Sequence, residues 1–274
     1  MALTELQRSV MRCLAQNRSP TSYAAGGAVL NRDWPRLSDD IDLFHDTDEQ
    51  IVQAADRDIE LLRAAGFQVT VDIRIYGCVE ARARRIELSE TVIQWMSETR
   101  HRFFPIVRDD EWGARLHQVD LAVNKVLASA SRTKARDQVD LVSIAERMCP
   151  LGPLVMAAAG KPPFFSPQRI VEEIRRRGLS IPDEEYLAVK GLPKDFTPRA
   201  QREALMQALD RAEQYIARAP TETVGAIVVD KDERPVEVAT LADASSLTLR
   251  RPTAEPEVMP LPADASFNWG ETRR

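Results

Sequence analysis

Two aspartates separated by one residue lie in the segment Asp40-Ile41-Asp42-Leu43-Phe44, where acidic and aliphatic side chains alternate. That alternation is typical of a β-strand, and it places both carboxylates on one face, about 6–7 Å apart. Like charges at this distance repel each other unless a cation lies between them. Mg²⁺ and Mn²⁺ prefer oxygen ligands, and Mg²⁺ often bridges carboxylates to substrate phosphates. Asp40 and Asp42 therefore form a candidate metal site.

A glycine pair, Gly26-Gly27, precedes these aspartates with twelve residues in between. Because glycine has no Cβ atom, its backbone can approach a phosphate closely and donate its N–H groups to it. A helix beginning at Ala28 would add the attraction of its positive N-terminal end. Bound metal and bound phosphate together suit an in-line displacement at phosphorus.

Two further acids, Asp137 and Asp140, lie three residues apart in a segment with helical spacing, so they share one helix face. Lys125 lies in the helical segment before them. On residue type alone, Lys125 could be an ordinary surface lysine, and the two acids could form ordinary surface ion pairs.

The glycine pair and the acidic pair together resemble the signature of the DNA polymerase β-like nucleotidyltransferase superfamily, which reads hG[GS], a spacer, then Dh[DE]h. The AbiEii/AbiGii toxin branch of that superfamily is similar over the fuller string YAAGGAVLNRDWPRLSDDIDLF. That branch also has a helical lysine and a downstream RDxxDL segment, which Lys125 and the run RDQVDL at 136–141 resemble. The resemblance covers residues from about 3 to 148.

The resemblance implies one active site in which these residues have separate roles. Phosphate contacts would come from Gly26, Gly27 and Ser38, catalytic metal ligands from Asp40 and Asp42, and further groups from Lys125, Asp137 and Asp140. Lys125 would reach the triphosphate or pyrophosphate as a point charge, which its flexible ammonium suits. Asp137 and Asp140 would orient Lys125, contact the nucleotide sugar or position the acceptor. Of the two, Asp137 is assigned to catalysis and Asp140 to nucleotide binding.

One position departs from the superfamily pattern. The superfamily places a third carboxylate on a later strand, where it acts as a base or as a ligand of a second metal. The best match to that strand is Val92–Met96, which carries Gln94 at this position. Asp72, Glu80 and Glu98 are acids that could substitute for it. This substitution leaves open a turnover that is slow, altered or absent.

The expected function is metal-dependent transfer of a nucleoside monophosphate from an NTP to a hydroxyl acceptor. By resemblance, the acceptor is a tRNA or a protein, and the chain is a toxin of an abortive-infection or toxin–antitoxin system with a cognate antitoxin. Two alternatives stay open. One is a catalytically impaired homologue that binds a nucleotide or a partner, and the other is transfer to a small molecule of the aminoglycoside type.

The elements that must position these residues follow from hydrophobic spacing. Strands are predicted over 40–44, 67–73, 76–86 and 91–96, and helices over 4–16, 48–65, 116–148 (with a break at 129–133), 166–178 and 198–219. A hairpin is predicted between 224–229 and 236–238. The predicted fold class is α+β, a nucleotidyltransferase fold with a small mixed β-sheet, helices packed on it, and a helical C-terminal region.

Composition limits the remaining possibilities for the 274 residues. A hydrophobic content of 44% permits a sizeable core, and a net charge of −5 does not favour nucleic-acid binding by the whole molecule. No apolar run approaches the roughly 20 residues that span a bilayer, and the three cysteines lie far apart. No membrane partner is expected, and the cytoplasm is the expected location.

The predicted domains are a nucleotidyltransferase domain over 1–150, a helical region over 151–222, and a short hairpin with a disordered tail over 223–274.

Overall fold

The computed structural model describes residues 3–85, 90–240, 242, 247–255 and 259. Contacts between residues divide the chain into two units. The helical unit comprises the described residues of Met1–Thr4, Gly26–Asp40 and Gln118–Pro252, and the sheet unit those of Glu5–Ala25, Ile41–His117 and Thr253–Arg274. This division groups residues by contact and does not test the domain boundaries predicted at residues 150 and 222, which stay predictions.

The sheet unit is built on a mixed sheet in which seven described strands are hydrogen-bonded. They are β1 (Ser22–Ala25), β2 (Asp40–His45), β3 (Gln68–Ile75), β4 (Cys78–Arg84), β5 (Glu90–Ser97), β6 (Val107–Asp109) and β7 (Gly113–Arg115). Their order across the sheet is β3-β4-β5-β2-β1-β7-β6. The predicted strands correspond to β2, β3, β4 and β5, although residue 86 of the predicted 76–86 strand lies outside the described residues. Strands β1, β6 and β7 were not predicted, because three or four residues are too few to show an alternating pattern.

Strand β1 runs antiparallel to β2, with Ala25 directly opposite Asp42, and parallel to β7. Strand β4 pairs antiparallel with both β3 and β5. The N–H of Glu98 donates to the carbonyl oxygen of His45 at 3.2 Å. Strand β5 neighbours β2 in the sheet and ends at Ser97, one residue before this bond. An antiparallel β5 would pair with residues after His45, so β5 is parallel to β2. In the parallel register Ser97 lies beside His45 and Gln94 lies beside Asp42.

Two helices, α1 (Glu5–Leu14) and α3 (Ile51–Ala64), cover one face of this sheet. Gln7 of α1 donates to the Thr91 hydroxyl at 3.3 Å, and the Trp95 indole donates to Asp58 of α3 at 2.7 Å. Since successive side chains point to opposite faces, Thr91 and Trp95 lie on the covered face and Gln94 lies on the other. The sheet therefore keeps a half-buried face away from α1 and α3.

The helical unit contains α2 (Gly26–Leu30), α4 (Gln118–Ser131), α5 (Ala135–Arg147), α6 (Leu151–Ala158), α7 (Pro167–Ser180), α8 (Asp183–Leu187) and α9 (Pro198–Arg218). Helix α4 packs against α5, α6 and α7. The break predicted at 129–133 falls at 132–134, because α4 continues through Ser131. The predicted starts of α7 and α9 are confirmed, since the Ser166 and Thr197 side chains accept backbone N–H bonds and proline follows each of them.

The predicted hairpin near the end of the chain is wrong in its second strand. Strand β8 (Ile227–Val229) pairs antiparallel with β9 (Thr248–Arg250), which lies in the segment predicted to be a disordered tail. The N–H of Val236 donates to the carbonyl of Val228 at 3.0 Å, but 236–238 form no strand. Residues 243–246, 256–258 and 260–274 of the predicted tail lie outside the described residues. Within the described parts of the chain, no helix has the length and apolar character needed to cross a bilayer.

Candidate active site

Asp40 begins β2, and both of its carboxylate oxygens have a partner. The Ser38 hydroxyl donates to Oδ1 at 2.9 Å, and Arg136 Nη1 donates to Oδ2 at 3.2 Å. The Asp40 side chain is 14% exposed and that of Arg136 is 36% exposed, so the pair is accessible to solvent. A guanidinium thus partly neutralises the charge of this carboxylate.

Asp42 follows two residues later on the same strand. Asp40, Asp42 and Phe44 are half-buried, while Ile41, Leu43 and His45 between them are buried. The alternation predicted from the sequence is confirmed, and the two aspartates lie on the same face of β2. Asp42 also lies directly opposite Ala25, the residue before the glycine pair.

The position expected to hold a third carboxylate carries Gln94, level with Asp42 and on the same face of the sheet. Gln94 Nε2 donates to Glu80 Oε2 at 2.6 Å, and the two residues are direct cross-strand partners. Asp72 is instead bound at both oxygens by Arg82, at 2.7 and 2.8 Å. Glu80, one of the acids that the sequence offers as substitutes, is therefore hydrogen-bonded to Gln94.

The carboxylates of β2 offer oxygen ligands, which hard divalent cations prefer. Across the residues that the structure describes, no group of three or more His, Cys, Asp or Glu side chains is placed to hold a metal ion. Two carboxylates on one strand face still match the oxygen donors of Mg²⁺, which commonly takes its other ligands from water and substrate phosphates. The roles of Asp40 and Asp42 as metal ligands stay predictions.

The glycine pair forms a close-packed bend. Gly26 has a φ of 71°, a left-handed conformation that favours glycine. Helix α2 begins there, two residues before the predicted start at Ala28. A Cβ atom on Gly27 would collide with the Arg36 guanidinium and would lie 3.3 Å from the Ser38 hydroxyl. The bend therefore lies next to the serine that donates to Asp40, and glycine at position 27 leaves the room that a side chain would fill.

Lys125 and the two helical aspartates form a buried ion network. Lys125 Nζ lies 2.8 Å from Asp137 Oδ1 and 2.9 Å from Asp140 Oδ2. Both aspartate side chains are fully buried, and the lysine side chain is 9% exposed. Orientation of Lys125 was one of the roles expected for the two aspartates, and the structure places Lys125 in direct contact with both of them. The alternative of surface ion pairs is wrong, because the carboxylates are buried.

Further donors complete this network. Arg36 Nε donates to Asp140 Oδ1 at 2.6 Å, and Asn31 Nδ2 donates to the same oxygen at 2.9 Å. Arg132 Nε donates to Asp137 Oδ2 at 2.7 Å. Each buried carboxylate therefore has several charge-assisted hydrogen bonds, which offset the cost of removing it from water.

The pKa values of Asp137 and Lys125 favour their ionised forms. Burial alone would raise the pKa of Asp137, but the neighbouring Lys125 and Arg132 outweigh burial and lower it to about 2. Burial likewise acts to lower the pKa of Lys125, and the charges of Asp140 and Asp137 reverse this effect and raise it. At neutral pH the Lys125 ammonium is thus a cation held between two carboxylates. Its predicted contact with a triphosphate stays a prediction.

Arg36 and Arg136 are two charged residues of this region for which the sequence predicted no role. Arg36 lies two residues before Ser38 in the string that resembles the AbiEii/AbiGii branch, so that string contained a signal for it. Arg136 precedes Asp137 in the RDxxDL segment, but its partner Asp40 lies 96 residues earlier in the chain. Only the folded chain shows that contact.

A pocket of about 360 Å³ lies beside Arg136 in the helical unit. Its charged lining residues are Arg36, Lys134, Arg136, Lys190, Asp39 and Glu185. Lys190 Nζ lies 2.6 Å from Asp39 Oδ1, and the Leu37 N–H donates to the Lys190 carbonyl at 3.0 Å. We call this the basic pocket, because cationic side chains outnumber acidic ones in its wall. Its charge suits an anionic ligand.

Comparison with solved structures supports the fold predicted from the sequence. The structure of MenT4, a nucleotidyltransferase toxin from Mycobacterium tuberculosis, matches 80% of this chain and 84% of its own, with a TM-score of 0.57 and 16% identity. A structure from H. pylori described as a nucleotidyltransferase matches 78% of this chain and 98% of its own, with a TM-score of 0.50 and 16% identity. The sequence matches no family model and no curated protein. At this identity the similarity shows the fold, and membership of the AbiEii/AbiGii branch stays a prediction.

Proposed function

We propose that this chain, which has the nucleotidyltransferase fold, transfers a nucleoside monophosphate from an NTP to a hydroxyl acceptor and releases pyrophosphate. The observation that supports this most is the pair Asp40 and Asp42 on one face of β2, with Ala25 opposite Asp42 and the glycine bend directly after it. On this fold, that arrangement offers oxygen ligands for a cation beside backbone groups suited to phosphate.

In this proposal Asp40 and Asp42 hold Mg²⁺ or Mn²⁺, which when bound would neutralise phosphate charge and activate the attacking hydroxyl. Gly26, Gly27 and Ser38 contact the phosphates. The predicted catalytic groups Lys125 and Asp137, and the predicted nucleotide contact Asp140, are held in place by the buried network. The ammonium of Lys125 contributes positive charge from within that network.

The basic pocket adds a place for the polyphosphate of the substrate. Arg136 lines this pocket and also binds Asp40. A triphosphate that attracts Arg136 would remove the guanidinium from Asp40 and leave that carboxylate available to the metal. Substrate binding and metal binding would then favour each other.

For the acceptor we propose the 3′ end of a tRNA or a protein side chain, and for the biological setting a toxin with a cognate antitoxin. The support is the motif resemblance to the AbiEii/AbiGii branch. The fold similarity to MenT4, which is described as a nucleotidyltransferase toxin, agrees with this setting.

The test is transfer of label from each α-³²P-labelled NTP to total tRNA, to cellular protein, or to an aminoglycoside, in the presence of Mg²⁺. We expect Asp42→Asn to lower transfer and pyrophosphate release by at least about 100-fold, because it removes a proposed metal ligand. The matched control is Asp56→Asn, which removes a half-exposed carboxylate of α3 that pairs with Arg74. Equal activity of wild type and Asp42→Asn would contradict the proposal.

Gln94 favours a second candidate function, in which the chain binds a nucleotide without transferring it. An amide cannot serve as the base or as the anionic ligand that a third carboxylate provides. Calorimetry with each NTP distinguishes the two functions. Saturable NTP binding by wild type without any label transfer supports the second candidate, and transfer to any acceptor excludes it.

A further inference from the structure

A second polar pocket lies in the sheet unit, on the face of β2 opposite to Asp42. Its volume is about 260 Å³. It is lined by residues of the segment before β1, by Ser22 at the start of β1, by His45 of β2, and by residues of α3 and the turn before it. Because His45 is three positions after Asp42 along the strand, the two side chains point to opposite faces. This pocket is therefore separate from the candidate active site.

The Arg18 guanidinium forms the inner wall of this pocket. Its Nε donates to the Leu14 carbonyl at 3.3 Å, and its Nη2 donates to Asp58 Oδ2 at 2.5 Å. Its Nη1 is buried and has no hydrogen-bond partner. The side chain is 1% exposed, so bulk water does not satisfy this nitrogen. A buried charged donor without an acceptor is unfavourable, which points to a ligand in the pocket.

Two more buried polar atoms in the same wall lack a partner, Ser22 Oγ and His45 Nε2. His45 is 1% exposed. Burial and the nearby positive charge of Arg18 lower the pKa of His45 to about 4, so its imidazole is neutral at pH 7. A neutral imidazole with its proton on Nε2 is a donor at that atom, and a serine hydroxyl can always donate. Arg18, Ser22 and His45 all belong to the lining of this one pocket.

The only carboxylate of the pocket lining, Asp58, is already occupied. It accepts from Asn17 Nδ2 at 2.8 Å, from Arg18 Nη2, and from Trp95 Nε1 at 2.7 Å. Arg57, the other charged residue of the lining, is exposed at the rim. With two arginines and one aspartate, the lining carries a net positive charge. This charge and these donors suit an anion that only accepts hydrogen bonds.

We propose that this pocket binds an oxyanion of the phosphate class, which accepts hydrogen bonds from Arg18 Nη1, Ser22 Oγ and His45 Nε2. Several acceptor oxygens on one atom allow a phosphate group to satisfy all three donors together. Arg57 at the rim adds attraction from the solvent side.

The test is titration of the intact chain with inorganic phosphate, without NTP or divalent cation, followed by calorimetry and by the ¹⁵N resonances of the His45 imidazole. We expect saturable binding that shifts the His45 Nε2 resonance. Ser22→Ala should weaken binding by about tenfold, because one hydrogen bond to a charged group is lost. Arg57→Gln should weaken it by about threefold, as expected for an exposed charge.

The matched control is Arg63→Gln, which removes an exposed arginine from the same helix outside the pocket. It should bind phosphate as wild type does. The His45 Nε2 resonance reports on this pocket and so separates it from phosphate bound at the proposed active site. Thermal melts of all three variants check that they fold. Glycerol 3-phosphate distinguishes the source, since tighter binding than inorganic phosphate indicates a phosphorylated metabolite and equal binding indicates the free ion. No binding by wild type, or unchanged binding by Ser22→Ala, would overturn the proposal.

Discussion

Asp40 divides its two carboxylate oxygens between the hydroxyl of Ser38 and the guanidinium of Arg136. A divalent cation at this carboxylate must compete with Arg136 for the same negative charge. The Arg136 contact is a single hydrogen bond at 3.2 Å to a partly exposed side chain, so the competition is weak.

Removing this competitor should strengthen metal binding. We predict that Arg136→Ala binds Mn²⁺ about three- to tenfold more tightly than wild type when no nucleotide is present, as measured by electron paramagnetic resonance of the free ion. It should also bind NTP more weakly, because the basic pocket loses a cation. Arg147→Ala removes an exposed arginine from the same helix and should change neither affinity. Weaker Mn²⁺ binding by Arg136→Ala would show that this arginine does not compete with metal.

Gln94 and Glu80 provide a second prediction for single residues. Gln94→Glu places two carboxylates opposite each other on neighbouring strands, which should lower the free energy of unfolding by about 0.2–1 kcal/mol without metal. Mn²⁺ should restore this loss in thermal melts if the two acids can share a cation with Asp42. Gln53→Glu, an exposed change on α3, should show no response to Mn²⁺. A Gln94→Glu variant that Mn²⁺ does not stabilise would separate this position from the metal site.

Elements whose signals are local in the chain could be predicted from the sequence. The alternation of acidic and aliphatic residues within Asp40–Phe44 indicates which side chains of β2 share a face. The Ser-Pro and Thr-Pro pairs mark the starts of α7 and α9. Contacts between distant segments could not be predicted in this way. Arg136 meets Asp40, and Lys190 meets Asp39, only because the helices of one unit fold back on the segment before β2.

The cap of α9 gives a prediction at the level of one helix. The Thr197 hydroxyl accepts from the Ala200 N–H at 3.2 Å, which satisfies one of the unpaired donors of the first turn. Thr197→Ala should lower the free energy of unfolding by about 1 kcal/mol in urea denaturation. Thr197→Ser keeps the acceptor and should stay within a few tenths of a kcal/mol of wild type. An equal loss in both variants would indicate that the methyl group of Thr197, and not its oxygen, is what matters.

The pH dependence of the whole molecule should reflect its buried histidine. The pKa of His45 lies near 4 in the folded chain, below its usual value of 6.5. Between these pH values the unfolded chain binds more protons than the folded chain. The contribution of neutral His45 to the free energy of unfolding is therefore fully present above pH 6.5 and is lost as the pH falls to 4. We predict a loss of about 3 kcal/mol at most over this range, measured by urea denaturation at several pH values. His45→Gln should remove most of this slope, and an unchanged slope would assign it to other groups.

The pairing of β1 with β7 has a consequence for synthesis on the ribosome. These neighbours in the sheet are separated by about 90 residues of chain. At typical bacterial and eukaryotic translation speeds, roughly 5–20 s pass between the emergence of β1 and the arrival of β7. During that interval one edge of the nascent β1–β2 ribbon exposes unpaired amides to other chains. Chaperone occupancy of the nascent chain should therefore peak before residue 115 leaves the exit tunnel and decline once β7 has emerged.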